Sequence, residues 1–467
     1  MLIALRLKMI ERIGSQLVLF FVVVFAGCSG TIEKNTTYFG GKIINPKSKF
    51  VILYGNEVAL DTFFLEEDNS FLGTLESINE GLYYFKHGSE HQYVYIEPKD
   101  SILIRLNTWD FDESLVFSGK GAERNNFLID CFLESERDDN FFYQYYTKSP
   151  DEFRLKVDSL EQLRLKKLAY FFTKYPEESA LYKKILKIAL TYPLYAKVES
   201  YPLAHNAIKK QGNAPHIDPS FYKHREMIDL RSDSIMYFYA YRDLMMSHLY
   251  NKVISEGHKL DSDEFTVSLL KTIAAEMRNE KTKNVILKQT FVGHFYRRSS
   301  CNLNKKAFES FLELSTNEDD KRQIQLLLND AKKFYKGKRI ENFHVKDYNK
   351  TDRSLASLIK GRNSVVYFWN SEYISKEYIA SRINFLSKKH PNINFLGVKI
   401  DGNGKDRIKK IDIKSQYYIH SKSEANEFLT SKMPRTLLIN GKGIVMNGYA
   451  SLMSKNIFDQ IAQLDNI

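Results

Sequence analysis

Among the side chains that could do covalent or metal chemistry in this 467-residue chain, the three cysteines, Cys28, Cys131 and Cys301, come first. Disulfide exchange needs a thiolate and a second thiol close by, yet no two of these cysteines are near each other in sequence. In an oxidising compartment Cys131 and Cys301 could pair; as two small buried hydrophobes they need no partner, and that reading is preferred. His87 and His91 bracket a Gly-Ser turn and lack a third ligand, which favours a plain hairpin over a metal site. The stretch 118-SGKGAERN-125 lacks the Lys-Ser/Thr spacing of a phosphate loop and reads as punctuation between a strand and a helix. Ser354, Ser364 and Ser375 have no histidine and aspartate arranged around them in sequence. No metal ligand set and no cofactor motif is expected. What remains is 365-VVYFWNSEYISK-376, an apolar strand that runs into a polar turn before an amphipathic helix. On that turn stand Tyr373 and Lys376, a phenol of ordinary pKa about 10 and an ammonium; neither exchanges disulfides.

Past Gly337 the pattern predicts strands at 365–369 and 393–400, a helix at 376–389, a helix around Ser423–Ser431, strands at 436–440 and 443–450, and a last helix at 454–465. Three of its segments, 365-VVYFWNSEYISK-376, 395-FLGVKIDGN-403 and 433-MPRTLLINGKGIV-445, resemble the thioredoxin-like domain of membrane-anchored thiol-disulfide oxidoreductases. The resemblance implies a C-terminal α/β domain over 337–467, with Pro434 on a cis bond. In that family a Cys-x-x-Cys pair occupies the turn; here Tyr373-Ile374-Ser375-Lys376 stands in its place, so a redox-inactive domain is expected. The family's active-site face would be built by Trp369, Tyr373, Lys376, Met433 and Pro434. It is expected to grip an extended peptide by strand addition without reacting with it.

The elements before this domain divide into three stretches. Residues 38–120 show short β-like runs such as 50-FVILYG-55 and 101-SILIRLN-107, punctuated by turn residues about every ten positions, which predicts an antiparallel β domain. The run 97-EPKDSILIRLNTWDFDESLVFSGKGAERNNFL-128 resembles the end of a small β domain in periplasmic thioredoxin-like lipoproteins, with Lys99 where a Pro-Gly-Asp turn has its glycine. Residues 121–336 turn to helical periodicity, as in Phe153, Val157, Leu160, Leu163, Leu168 and Phe171, with Pro176 and Pro193 expected to separate helices. The fold class predicted is therefore multidomain α+β.

At the N-terminus, Arg6, Lys8 and Arg12 precede the apolar run Leu17–Gly27, too short to span a bilayer comfortably. With Ala26-Gly27 before Cys28, residues 1–27 resemble the lipobox signal of bacterial lipoproteins. That implies lipidation at Cys28, a tether over 28–37, and anchoring in the cell envelope, in the outer membrane facing the periplasm. The net charge of +11 is dispersed among acids and carries no nucleic-acid signature.

These readings give a lipid-anchored envelope protein that binds a protein or peptide partner through a redox-inactive thioredoxin-like domain. The alternatives are an oxidoreductase working through Cys131 and Cys301, or a purely structural envelope lipoprotein. Metabolic labelling with a fatty-acid probe is expected to mark the wild-type chain and not Cys28→Ser; equal labelling of both would remove the anchor.

Overall fold

The alternation in 101-SILIRLN-107 works as a half-buried strand should, with Ile102, Ile104 and Leu106 buried and Leu103 and Arg105 turned out. The computed structural model describes residues 36–209, 217–228, 235–260, 262–298, 305–371, 373–400, 402 and 407–466. The expected signal, Cys28 and Cys301 lie outside them. Eight strands come first: β1 (Thr37–Ile44), β2 (Phe50–Gly55), β3 (Val58–Phe64), β4 (Ser70–Leu75), β5 (Gly81–His87), β6 (Glu90–Ile96), β7 (Ser101–Asn107) and β8 (Val116–Lys120). They form two four-stranded sheets, β4-β1-β7-β8 and β3-β2-β5-β6, around one core that includes Phe39, Phe63, Phe85 and Ile104. The expectation of a purely antiparallel domain is corrected at one place, because β1 and β7 run parallel. Parallel neighbours need a long crossover, and β2 to β6 supply it.

Three helices follow, α1 (Ala122–Tyr145), α2 (Pro150–Lys174) and α3 (Ala180–Lys209). Gly121 caps α1 at φ 94, where an added Cβ would crowd the Asp100 carboxylate at 2.9 Å. The space lets Arg124 fork both Asp100 oxygens at 2.8 and 2.7 Å, with Asp100 itself fully buried. Ser149 and Glu152 close a capping box on α2, with Pro150 in its first turn. The stripe expected on α2 is only partly right. Phe153, Val157 and Phe171 are buried, but Leu163 is 60% exposed, and Arg164 takes the inward position, bonded to Asp138 and, at 2.8 Å, to the Leu190 carbonyl. Nor does Pro193 end a helix. It lies inside α3, where Leu186, Ala189, Leu190 and Leu194 are all buried, so packing outweighs the lost backbone bond.

The chain forms two compact units. One holds the described residues up to Leu194 with Tyr237–Tyr241; the other holds Tyr195–Met236 and everything from Arg242. After α4 (Tyr239–Ser255), whose residues from Arg242 belong to the second unit, come α5 (Asp263–Glu276), α6 (Glu280–Arg298), α7 (Lys305–Leu314) and α8 (Glu318–Ala331). Glu199 of α3 is fully buried and accepts from Arg225 at 2.7 Å and Asn251 at 2.8 Å, with His224 Nε2 at 3.0 Å. Burial by itself would raise this carboxyl; the bonds from Arg225, His224 and His248 outweigh it and hold the group below its usual value.

A seven-stranded sheet completes the second unit, with β9 (His344–Asp347), β10 (Asp352–Ser354), α9 (Leu355–Ile359), β11 (Ser364–Trp369), α10 (Lys376–Lys389), β12 (Asn394–Lys399), β13 (Gln416–Tyr418), β14 (Arg435–Ile439), β15 (Val445–Ala450) and α11 (Ile457–Asp465). The strand order is β10-β9-β13-β12-β11-β14-β15. β11 and β12 are parallel across α10, while β14 and β15 pair as an antiparallel hairpin, which is the thioredoxin-like arrangement. β11 is buried at every residue, as a central strand must be. Val365, Tyr367 and Trp369 pack toward α10 and α11, and Val366 and Phe368 toward Phe334, Phe343 and Phe428. The helix expected around Ser423–Ser431 shrinks to a 3-10 turn, Glu424–Glu427. The amides of Thr430 and Ser431 bond to the Asp330 side chain instead, which draws this backbone off a helical path.

Lys99, standing where the resembling turn has glycine, adopts φ 70. The left-handed region costs an L-residue about 1–2 kcal/mol, and glycine's extra freedom when unfolded returns roughly half of that. The side chain is exposed and its amide still reaches Thr37 Oγ1 at 2.9 Å. Lys99→Gly is therefore expected to stabilise the first unit by about 0.5–1 kcal/mol in urea denaturation. A loss of stability would mean the lysine side chain contributes more than its backbone costs.

Candidate functional site

Where β11 ends, the chain turns at buried Asn370, whose carbonyl accepts from the amides of Tyr373 at 3.1 Å and Ile374 at 3.2 Å. Ser375 then caps α10, accepting from the Tyr378 amide at 3.2 Å. Lys376 is consequently the first residue of the helix. That end carries the positive pole of the helix dipole, which favours an anion such as a thiolate and disfavours an ammonium.

Trp369, Met433 and Pro434 converge on a cleft of about 880 Å³, joined by Tyr373 and Ile374 from the turn and by Leu452 and Met453 beyond β15. Its second wall belongs to the same chain: α6 contributes Lys281, Val285, Lys288, Val292 and Tyr296, and the start of α8 adds Asn317 and Asp320. The spacing of four, three, four and four residues makes one stripe along α6. Amphipathic periodicity in the sequence predicts this helix from residue 284; it starts at Glu280, a turn earlier, and that turn carries Lys281. The stripe was visible in sequence as amphipathic periodicity; nothing in the sequence said what it would face.

Contacts between the two walls fix the cleft. The Tyr296 hydroxyl donates to the Pro434 carbonyl at 2.9 Å, and Gln323 Nε2 on α8 donates to the Tyr373 hydroxyl at 2.6 Å. Burial pushes the Tyr296 phenol well above its usual value, so it stays a donor. Behind them Asp330 of α8 accepts from the Thr430 amide at 3.0 Å, the Thr430 hydroxyl at 2.6 Å, the Ser431 amide at 2.9 Å and Arg435 Nη2 at 2.9 Å. Both members of the Asp330–Arg435 pair are 1% exposed. At Gly448 an added Cβ would lie 1.8 Å from the Phe334 carbonyl oxygen, so only glycine lets β15 pass the residues just after α8.

The expected face needs several corrections. Trp369 and Met433 are buried at 3% and 1% and form the floor of the cleft rather than an open surface. Pro434 is half-buried, and its bond is trans: no cis peptide occurs among the described residues. Proline there directly precedes β14 and takes no ladder bond from that strand, so a trans bond meets no penalty. The Met433 amide is satisfied by Ser431 Oγ at 3.3 Å and the Pro434 carbonyl by Tyr296, so neither of these two groups is open to pair with an added strand. Tyr373 remains part-exposed but is engaged by α8, and Lys376 does not line the cleft.

Elsewhere, Cys131 sits in α1 at 1% exposure, and burial pushes its thiol up to about 12. Such a thiol is protonated at neutral pH and is a poor nucleophile. His87 closes the β5–β6 hairpin region: its Nε2 accepts the Lys47 amide at 3.0 Å, and Nδ1–H donates to the Phe50 carbonyl at 3.1 Å.

No protein-family model matches the chain, and no curated protein matches it. Solved structures do. A candidate thiol-disulfide oxidoreductase from Bacteroides vulgatus is 24% identical over 28% of this chain and 98% of its own, with a TM-score of 0.25. The thioredoxin domain of another thiol-disulfide oxidoreductase from Bacteroides vulgatus is 15% identical over 28% of this chain and 98% of its own, with a TM-score of 0.23. A thioredoxin-family thiol:disulfide interchange protein from Chlorobium tepidum is 13% identical over 28% and 97%, with a TM-score of 0.22.

Removing one member of a buried ion pair leaves the other charge uncompensated, at a cost of about 3–5 kcal/mol. Asp330→Ala is expected to destabilise the second unit by that amount in urea unfolding, and Asp330→Ala with Arg435→Met to recover most of it. If the double variant is no better than the single one, the bonds to Thr430 and Ser431 carry the effect and the ion pair does not.

Proposed function

We propose that this chain is a lipid-anchored envelope protein whose thioredoxin-like part binds an extended apolar segment of a protein partner without redox chemistry. The observation that carries the reading is the cleft itself. It joins the thioredoxin-like face to a helix of the same chain, its floor is Trp369 and Met433, and Tyr373 and Lys376 occupy the thiol positions. From Lys281 to Tyr296 the α6 wall runs roughly 22 Å at 1.5 Å per residue. An extended peptide covers that length in about seven residues. A long wall of alternating side chains suits such a chain better than it suits a compact metabolite. With the Met433 amide and the Pro434 carbonyl already engaged, the partner would be held mainly by its side chains, most strongly by one apolar anchor on Trp369 and Met433. Anchoring at Cys28 rests on the small residues before it, and it puts the lipid nine residues ahead of β1. The reading that uses Cys131 as a working thiol is disfavoured by that residue's burial.

Two measurements test the proposal. The purified protein is expected to reduce insulin disulfides no faster than buffer; turnover that survives Cys131→Ser and Cys301→Ser together would contradict it. Val292→Trp, which fills the cleft from α6, is expected to weaken binding of a fluorescein-labelled Leu-Phe-Leu peptide at least tenfold while leaving thermal stability nearly unchanged. Undiminished binding would place the peptide elsewhere.

A further inference from the structure

Four charged side chains line the cleft: Lys281, Lys288, Asp320 and Arg435. Two of the cations are balanced. Lys288 Nζ meets Asp320 at 2.7 Å, and Arg435 meets Asp330 at 2.9 Å. Lys281 makes no ion pair among the described residues; its neighbour Glu280 is taken by Lys283 and by the Thr316 hydroxyl at 2.8 Å. Lys281 is also exposed, so its ammonium keeps its water and is available to a visiting anion. The cleft is thus electrically lopsided: apolar where Val292 and Tyr296 face Trp369 and Met433, and cationic at the first turn of α6.

From this, and resting on the cleft being a peptide site, we infer that it selects an apolar segment followed at a set distance by an acidic residue. The distance comes from geometry. Lys281 and Val292 are separated by roughly 16 Å along the helix at 1.5 Å per residue. An extended chain spans that in about five residues. Lys288, between them, is neutralised by Asp320 and attracts nothing. An acidic residue next to the apolar anchor therefore gains little, and one about five positions away reaches Lys281. The ligand class is an extended apolar-acidic peptide, read by side chains at two points.

The test uses the full-length protein and fluorescein-labelled peptides that carry Leu-Phe-Leu and a single charge separated by serine and glycine, made in both chain directions. Fluorescence anisotropy is expected to show the peptide with aspartate five positions away binding about fivefold tighter than its lysine counterpart, the size usual for exposed charges. Moving the aspartate beside the apolar triad should abolish the preference. On Lys281→Glu the order of aspartate and lysine peptides should reverse; thermal denaturation checks that this variant folds, as expected for an exposed side chain. Equal binding of aspartate and lysine peptides to the wild type, or a preference that persists in Lys281→Glu, overturns the charge readout and leaves the peptide site standing. Failure of every peptide to bind overturns both. Uptake of a fluorescent long-chain fatty acid, sensitive to Lys281→Glu while no peptide binds, would assign the cleft to a lipid instead.

Discussion

The buried Asp330 side chain is the constraint on which the second unit depends. It lies at the end of α8, and its oxygens serve four donors of the thioredoxin-like part: two amides, a hydroxyl and the Arg435 guanidinium. A carboxylate at 1% exposure is tolerable only when paired and hydrogen-bonded. Each of those donors must therefore be delivered at the right place. Delivering them fixes the approach to β14, replaces a helix by a 3-10 turn, and holds α8 where Gln323 reaches Tyr373. The cleft geometry follows from this, since Met433, Pro434 and Arg435 all belong to the segment that Asp330 pins.

How far sequence reveals such an arrangement depends on the range of the interactions involved. The buried strand at 365–369 and the β14–β15 hairpin rest on local patterns and were legible. Pro193 and Arg164 misled because tertiary packing overrode the local rule at each: a proline sits within a continuous helix, and an arginine takes the position a leucine was expected to fill. The parallel pairing of β1 with β7 lacks any local signature at all.

The candidate site divides along the same line. Trp369, Tyr373, Met433 and Pro434 were named from the resemblance, and all four line the cleft. Lys376, equally well placed in sequence, does not. The α6 stripe carried its periodicity in plain view, but a stripe announces only that a helix has a face. What it faces is decided by contacts across more than a hundred residues, such as Tyr296 to Pro434.

The cis arrangement of α6 and α8 over this face has a consequence for competition. A segment tethered by a short connector is present at its target at millimolar effective concentration, and here α8 joins β9 through only a brief stretch of chain. Any folded protein seeking the whole face as its docking surface must displace a cover that never diffuses away. Its apparent affinity falls by the factor with which that cover is occupied. A single extended strand, narrow enough to enter beside the cover, meets no such handicap. If the cleft takes a peptide as proposed, the fold sorts visitors by width before it sorts them by chemistry.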